Sequence, residues 1–467
     1  MKKARLTLIA LAAAMTLSAQ QIDRTKPPQT GAVPPFKLPP TFESTLPNGL
    51  RVVLVEDRRF PLVTVRLTFE AGSKFDPKDL PGLSEAVATL LTEGTKTRTS
   101  RQIAEQLSDI GGFLKAAPGS DGLTAQGNAL AENLPQLLDL LADVTLNASF
   151  PEDEVKLYRS KRAQELLAQR SEASFWADQT ITAVVYGSHP YSRINPTPEA
   201  IARLDRDTLA RFRDAHLSPN NATLILLGAI PARDETLKLI TSRFSAWQRR
   251  ELPARPAPDF PAPKRSITLV DRPGSVQADI RVGRLAVDRL NKDYFPLMVG
   301  NTILGGGTSS RMFMNIREKQ GFAYDAHSSL LARKNAGLFM AVTQVRNEVL
   351  QPALESLQKE LETMAKQPVA AAELTDVKNY ISGTFVMGLE TQAGLATQLA
   401  NMKLLGLPTN YMETYTARVR AVEPGEIEAA AAKYVAPADA SIVVVGDASA
   451  IGKTLEKFGP VTVEKAQ

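Results

Sequence analysis

The sequence predicts an α+β fold built from two copies of one unit of about 200 residues. A proline-rich stretch, ELPARPAPDFPAPKR at residues 251–265, divides the chain near its middle. Each half begins with strand patterns and continues with two helices, two strands and a run of helices. Each half also ends alike, on a helix, a Pro-bearing turn and an apolar strand ending in glycine: LARFRDAHLSPNNATLILLGAI and IEAAAAKYVAPADASIVVVGDAS.

In the first half, TFESTLPNGLRVVLVED predicts a hairpin that turns at Asn48-Gly49, and LVTVRLTFEAG predicts the next strand. PGLSEAVATLLTEGT, residues 81–95, predicts an amphipathic helix that ends at Gly94. The apolar side of this helix repeats with helical spacing and should pack on a core; it consists of Leu83, Val87, Leu90 and Leu91. In the second half SITLVD and SVQADIRVGRLA predict the corresponding strands.

The domain boundaries follow from this pattern. Residues 1–19 combine a basic start, an apolar run and small residues, which is typical of a cleaved secretion signal; the run is short for a membrane span. Residues 20–40 form a proline-rich tail that serves as a spacer. Residues 41–250 and 266–467 are the two domains, and residues 251–265 are the linker. We therefore expect an exported, most simply periplasmic, protein without a stable membrane span after cleavage.

Composition excludes several classes of protein. The chain of 467 residues has a net charge of +5, which falls to +2 when residues 1–19, with three basic residues and no acidic one, are removed. No Arg/Lys cluster alternates with aromatic residues, so no nucleic-acid partner is predicted. There is no cysteine, hence neither a disulfide framework nor a thiolate metal site. The three histidines, His189, His216 and His327, are too scattered for a local metal motif, and turn or capping roles are favoured for the first two.

The segment richest in functional signals is LGGGTSSRMFMNIREKQGFAYDAHSSL, residues 304–330. Ser309 or Ser310 is predicted to cap a helix that Gly321 ends, and FAYDAHSSL is predicted to be a strand. Arg317 and Tyr324 would then point into one space, where a guanidinium and a hydroxyl suit a peptide carbonyl or an oxyanion. The residues alone leave an alternative open, a solvated helix arginine and a half-buried strand tyrosine.

The glycine triplet Gly305, Gly306 and Gly307 precedes that helix. It is either a loop that touches substrate or a tight turn, and it lacks the spacing of a phosphate-binding loop.

The segment LGGGTSSRMFMNIREKQGFAY resembles the C-terminal half of the pitrilysin/insulinase zinc peptidases, the family that includes mitochondrial processing peptidase. YGSHPYSRINPTPEAIARL and LSPNNATLILLGAI resemble the N-terminal half. The similarity extends from about residue 41 to about residue 450. It implies two duplicated domains, each a largely antiparallel sheet packed with helices, that face each other as a clamshell.

The resemblance also implies a zinc site on the first helix, with the motif His-x-x-Glu-His. The two histidines of the motif bind zinc and its Glu is the general base, while a second Glu, distant in the chain, is the third zinc ligand. Those five positions are Ser84, Glu85, Ala86, Val87 and Ala88 in this chain. Both histidines are thus replaced, by Ser84 and Ala88, and the general base by Val87. Glu165 occupies the position of the third ligand, but without the histidines an ordinary helix glutamate is the better interpretation. No metal is expected in this chain.

In this family the C-terminal half contributes an Arg/Tyr pair that contacts substrate, and Arg317 and Tyr324 match it in type and spacing. The resemblance therefore implies the complementary subunit of a heteromeric peptidase, whose homologous zinc-bearing partner hydrolyses a peptide substrate. The alternative is a catalytically inactive structural or peptide-binding pseudopeptidase. A solitary zinc peptidase that uses the three scattered histidines is the least favoured hypothesis.

Overall fold

The computed structural model describes residues 36–466, which form two six-stranded sheets. The predicted signal (1–19) and residues 20–35 of the predicted tail (20–40) lie outside the described residues. The strands of the first sheet are β1 (Thr41–Thr45), β2 (Arg51–Glu56), β3 (Leu62–Phe69), β4 (Phe113–Pro118), β5 (Leu123–Leu130) and β6 (Ala222–Gly228). The strands of the second are β7 (Ser266–Asp271), β8 (Gln277–Ala286), β9 (Ala323–Ala332), β10 (Gly337–Arg346), β11 (Ser441–Gly446) and β12 (Val461–Lys465).

Helices surround both sheets. Those of the first half are α1 (Leu83–Leu90), α2 (Ser100–Asp109), α3 (Leu134–Leu146), α4 (Glu152–Arg170), α5 (Ala173–Tyr186), α6 (Pro198–Arg203), α7 (Arg206–His216) and α8 (Arg233–Phe244). Those of the second are α9 (Tyr294–Gly305), α10 (Leu350–Lys366), α11 (Ala371–Gly388), α12 (Gln392–Leu405), α13 (Tyr411–Ala421), α14 (Pro424–Tyr434) and α15 (Ala448–Leu455). No helix within residues 36–466 is long and apolar enough to cross a membrane.

The strand orders confirm the predicted duplication. The first sheet runs β1-β2-β6-β3-β5-β4 and the second runs β12-β7-β11-β8-β10-β9. Positions two to six correspond strand for strand, and only the first edge strand differs: β1 pairs with β2 as an antiparallel hairpin, whereas β12 pairs with β7 in parallel. Most neighbouring strands are antiparallel, as expected. The predicted hairpin is present, and Gly49 at its turn has a φ of 91°.

The repeated closing segment explains the central strands of both sheets. It forms α7, a short 3₁₀ turn and β6 in the first half, and α14, a similar turn and β11 in the second. Every residue of β6 and β11 is buried, because each strand packs on both faces and therefore carries an unbroken apolar run. Alternate residues enter different clusters: Ile442 and Val444 face one core, and Val443 and Val445 face another.

The two halves face each other and exchange one helix each. Helix α5 of the first half packs on β8 and β11 of the second sheet. Helix α12 of the second half packs on β3 and β6 of the first sheet, where Ile225 and Leu227 join the core of the second half. Residues 251–265 contain no helix or strand, yet Phe260 within them packs on Tyr186 of α5. The predicted α+β class with two facing domains is therefore confirmed.

Candidate functional site

Helix α1 carries the positions that the zinc motif would occupy. Its start is fixed by Gly82, which has a φ of 91°, and by the carboxylate of Asp76. That carboxylate accepts hydrogen bonds from the backbone N–H groups of Gly82 at 2.8 Å and Ser84 at 2.9 Å, and so caps the helix. The helix ends at Leu90, one turn before the predicted Gly94, which has a φ of 140° and forms an isolated β-bridge with Thr99.

The side chains of α1 do not fit zinc. Ser84, Val87 and Ala88 are all fully buried, and two of them offer only carbon. The Ser84 hydroxyl is buried without a hydrogen-bond partner. Among residues 36–466, no group of three or more His, Cys, Asp or Glu side chains could hold a metal ion. Zinc needs three or four N, O or S ligands, and the side chains at these positions of α1 do not supply them.

An ion pair joins α1 to α4 beside these positions. Arg162 Nε donates to Glu85 Oε1 at 2.9 Å, and Arg162 also donates to the Gln169 side chain at 3.1 Å. The arginine side chain is only 8% exposed, so its charge depends on this carboxylate. Arg162 was not among the residues predicted from the sequence. The available signal was its spacing, because it shares a buried helix face with Val155 and Leu166.

Glu165 is an exposed residue of α4, one turn after Arg162. It makes no ion pair or hydrogen bond within the described part of the chain. Its charge contributes to raising the pKa of Tyr158, for which burial is the first cause and the Glu85 charge the second. The structure therefore gives Glu165 no ligand-like environment.

A cleft of about 290 Å³ opens at the start of α1. Its lining includes Asp76, Ser84, Tyr191, Arg193 and Arg333. Burial raises the pKa of Asp76 to about 6, although the hydrogen bonds from Ser84 and Gly82 act in the opposite direction. The cleft thus remains lined with polar groups even though the zinc-ligand positions do not supply ligands.

Arg317 and Tyr324 lie side by side, the first on an unusual helix and the second on β9. Residues Phe313–Lys319 form a π-helix within the segment where the sequence predicted a helix of unspecified type. The Arg317 guanidinium lies 4.6 Å from the ring centre of Phe313 and 4.8 Å from that of Tyr324. The Tyr324 side chain, early in β9, is 84% exposed. The pair therefore presents a guanidinium and a phenol to solvent, as the prediction of a shared space required.

The ends of the π-helix follow the sequence only in part. Gly321 ends it with a φ of 63°, and its N–H donates to the Arg317 carbonyl at 3.0 Å. The cap predicted at Ser310 is wrong: the Ser310 hydroxyl is buried without a partner, and its carbonyl accepts from the Met314 N–H at 2.9 Å instead. The serine is thus a backbone acceptor at this position.

The three glycines have different surroundings. Gly305 is the last, buried residue of α9, and a Cβ there would lie 2.1 Å from the Ser328 nitrogen of β9. Gly306 approaches Thr302 closely, whereas Gly307 is exposed and meets nothing within 4 Å. Close packing therefore explains Gly305, and Gly307 is the member open to a ligand.

The histidines do not converge. His189 accepts a hydrogen bond from the Tyr191 N–H at 3.1 Å and caps a short 3₁₀ turn, as the capping interpretation predicted. His216 is buried against Phe75 and Phe212. Burial lowers the pKa of both to about 4. His327 lies on β9, where its Nδ1 is 2.6 Å from Asp325.

This duplicated α+β architecture, with a capped helix at the zinc-motif position and an Arg/Tyr pair in the second half, defines a metallopeptidase-like protein without a zinc-ligand set in its described residues. Two family models match the chain: "Insulinase (Peptidase family M16)" over residues 51–198 and "Peptidase M16 inactive domain" over residues 203–381. Together they cover more than half of its length. The chain belongs to the insulinase, or pitrilysin, peptidase family.

Similar proteins agree with this assignment. The uncharacterized zinc protease YmxG of Bacillus subtilis is 25% identical over 365 residues, 78% of this chain and 88% of the relative. The crystal structure of a peptidase M16 inactive domain from Pseudomonas fluorescens matches with a TM-score of 0.82 and 24% identity, and covers 87% of this chain and 98% of that one. A protease from Helicobacter pylori matches with a TM-score of 0.80 and 20% identity, over 87% and 100% of the two chains. The two solved structures establish the fold.

Proposed function

We propose that this protein is the non-zinc-binding subunit of an exported heteromeric metallopeptidase. In this proposal a homologous subunit holds zinc and hydrolyses peptides, and the present chain supplies substrate and transition-state contacts. The observation that supports this proposal is the difference between the two halves of the chain. Helix α1 retains its capped start and packing but has Ser84, Val87 and Ala88 at the motif positions, whereas the second half presents Arg317 beside Tyr324.

Two features of the Arg317–Tyr324 pair support a substrate role. The guanidinium lies 4.6 and 4.8 Å from two aromatic ring centres and 3.4 Å from the Glu318 carboxylate, and it remains 33% exposed. A preoriented cationic donor of this kind stabilises the negative oxygen that develops during peptide hydrolysis. The open Gly307 is the member of the glycine triplet that we assign to peptide contact.

Export and a periplasmic location belong to the same proposal. They rest on the sequence of residues 1–19, with its basic start and apolar run. Mass measurement of the mature N-terminus after expression in the native host tests them. Cleavage close to Ala19 is expected, and an intact N-terminus in the cytoplasmic fraction would contradict export.

The experiment that tests the subunit assignment is a mixing assay. A fluorogenic peptide library is offered to this protein alone, to a zinc-bearing homologue from the same organism alone, and to their mixture, with zinc quantified in each sample. We expect hydrolysis to require the mixture. A homologue that is fully active alone and gains nothing on mixing would contradict the proposal.

Arg317→Ala is the first variant to measure in that mixture. We expect turnover to fall roughly 100-fold, because a transition-state donor is removed. Lys319→Ala is the matched control, since it removes an exposed positive charge from the same π-helix. Equal turnover for both variants would remove Arg317 from the mechanism while leaving the subunit assignment to the mixing assay.

The second candidate function is a peptide-binding or structural pseudopeptidase. The polar cleft at the start of α1 favours it, since that cleft is formed by this chain alone. Saturable peptide binding by the isolated protein, weakened by Arg193→Gln and accompanied by no gain in hydrolysis on mixing, is the result that would select it.

A further inference from the structure

A second cavity, of about 600 Å³, lies where the two halves meet. Its walls come from β3, the β4–β5 hairpin and the end of β9, and α12 closes one side. Three arginines line it: Arg66, Arg289 and Arg333. They come from separate parts of the chain, two of them from the second half, so the fold itself collects these charges around one space.

None of these arginines pairs with a carboxylate within the described chain. Arg66 donates to the Gln126 side chain and, at 3.3 Å, to the Ala393 carbonyl, and its Nε is buried without a partner. Burial lowers its pKa, because desolvation disfavours the charged guanidinium.

The other two arginines contact neutral groups. Arg289 Nε donates to the Tyr411 hydroxyl at 3.1 Å, and the guanidinium lies 4.7 Å from the Tyr294 ring centre. Arg333 lies 4.8 Å from the ring centre of Tyr191 and donates to its carbonyl at 3.4 Å. Aromatic rings and a carbonyl orient a guanidinium but do not neutralise it.

The acidic residues nearby are already paired. Asp121, the carboxylate that lines the cavity, accepts from Lys74 Nζ at 3.0 Å, from the Lys334 N–H at 3.0 Å and from the Tyr191 hydroxyl. Glu70 beside it accepts from Lys334 at 2.9 Å and from Arg255 at 2.8 Å. The three cations Lys74, Lys334 and Arg255 thus outnumber the two carboxylates with which they pair, even before the three arginines of the cavity are counted.

Buried or half-buried charges are normally paired, and a guanidinium fork binds carboxylate and phosphate oxygens well. The cavity also has the size of a small-molecule site and an apolar wall that includes Leu330 and Leu404. We propose that this cavity binds a small oxyanion ligand, whose carboxylate or phosphate group is held by Arg66, Arg289 and Arg333. The site is formed by this chain alone and does not depend on the proposed partner or on peptide hydrolysis.

The test uses the mature full-length protein at constant ionic strength. Isothermal titration and thermal unfolding are measured with inorganic phosphate, with succinate and with acetylated diglutamate, and sodium chloride is the reference. We expect saturable one-to-one binding and a higher Tm with at least one of them. Response to phosphate alone identifies a phosphate ligand, and response to succinate or diglutamate a carboxylate one. No response beyond chloride overturns the proposal.

Variants then locate the site. Arg66→Gln should weaken binding about tenfold or more, the size expected for losing a charged hydrogen bond. Arg51→Gln is the matched control because Arg51 lies exposed on β2 of the same sheet, outside the cavity. Arg333→Gln replaces the first variant if that one fails to fold. If the Arg66 and Arg333 variants both bind the oxyanion as tightly as the Arg51 variant does, the assignment of the site to this cavity is overturned.

Discussion

At Asp76, burial and hydrogen bonding act in opposite directions on one carboxyl group. Two backbone N–H groups favour the ionised form, yet burial is the larger effect and raises the pKa to about 6. The unfolded chain ionises this group near pH 3.8. Between those values the folded state binds more protons than the unfolded state, so the stability that protonated Asp76 contributes below pH 4 is lost as the pH rises to about 6.

We therefore expect a pH-dependent difference in stability between the wild type and Asp76→Asn. As the pH rises from 4 to 7, the variant should gain up to about 3 kcal/mol in free energy of unfolding relative to the wild type, because only the wild type ionises. Urea denaturation at each pH measures it. The exposed Asp109→Asn is the control for loss of a carboxyl group. If the difference in free energy of unfolding between the two proteins does not change with pH, or changes in the opposite direction, the raised pKa of Asp76 is disproved.

At the scale of single elements, Gly305 and Gly307 have different roles although they are two residues apart. The Cα of Gly305 allows α9 to approach the backbone of β9, and a methyl group there would meet Ser328. Gly307 has open space around it. The triplet therefore combines a packing position with a solvent-facing one.

We expect Gly305→Ala to lower the free energy of unfolding by roughly 1–3 kcal/mol, because a strand backbone must move to accept the new methyl group. Gly307→Ala should change it by less than about 0.5 kcal/mol. Calorimetric unfolding of both variants is the measurement. Similar Tm values for the two variants would show that the close contact between α9 and β9 does not determine the stability cost of a side chain at position 305.

The elements also show how far the sequence predicts this protein. The repeated closing segments predicted β6 and β11 correctly, because a strand buried on both faces has a distinctive apolar run. The π-helix was missed, since seven residues with a buried Ile316 fit an α-helical pattern equally well. Arg162 was missed because its spacing identifies a buried face but not the Glu85 that lies across from it, 77 residues away along the chain.

At the scale of the whole molecule, charged residues join the halves. Glu70 of the first half accepts from Lys334 of the second, and Lys74 connects it to Asp121. Burial of Glu70 opposes its ionisation, but the hydrogen bond from Lys334 and the charges of Lys74 and Lys334 outweigh it and lower the pKa to about 2. The stability from ionised Glu70 is therefore fully present above pH 4.5 and is lost as the pH falls towards 2.

Glu70→Gln should consequently make the protein less sensitive to acid. The wild type should exceed the variant in free energy of unfolding at pH 7, and we expect that excess to shrink by roughly 1–3 kcal/mol by pH 3. Glu43→Gln, which removes an exposed carboxylate that pairs with Lys403, is the matched control. An excess that stays constant down to pH 3 would argue against this network as the acid-labile contact.

The exchange of helices between the halves has a consequence for how the chain is made. During synthesis the strands of the first sheet are complete once residue 228 has emerged, but α12, which covers one face of that sheet, ends at Leu405. At ordinary translation rates this leaves a gap of roughly 10–35 s. For that time Ile225 and Leu227 lack their covering partner, so the nascent chain offers a binding surface to chaperones until nearly all of it has been synthesised.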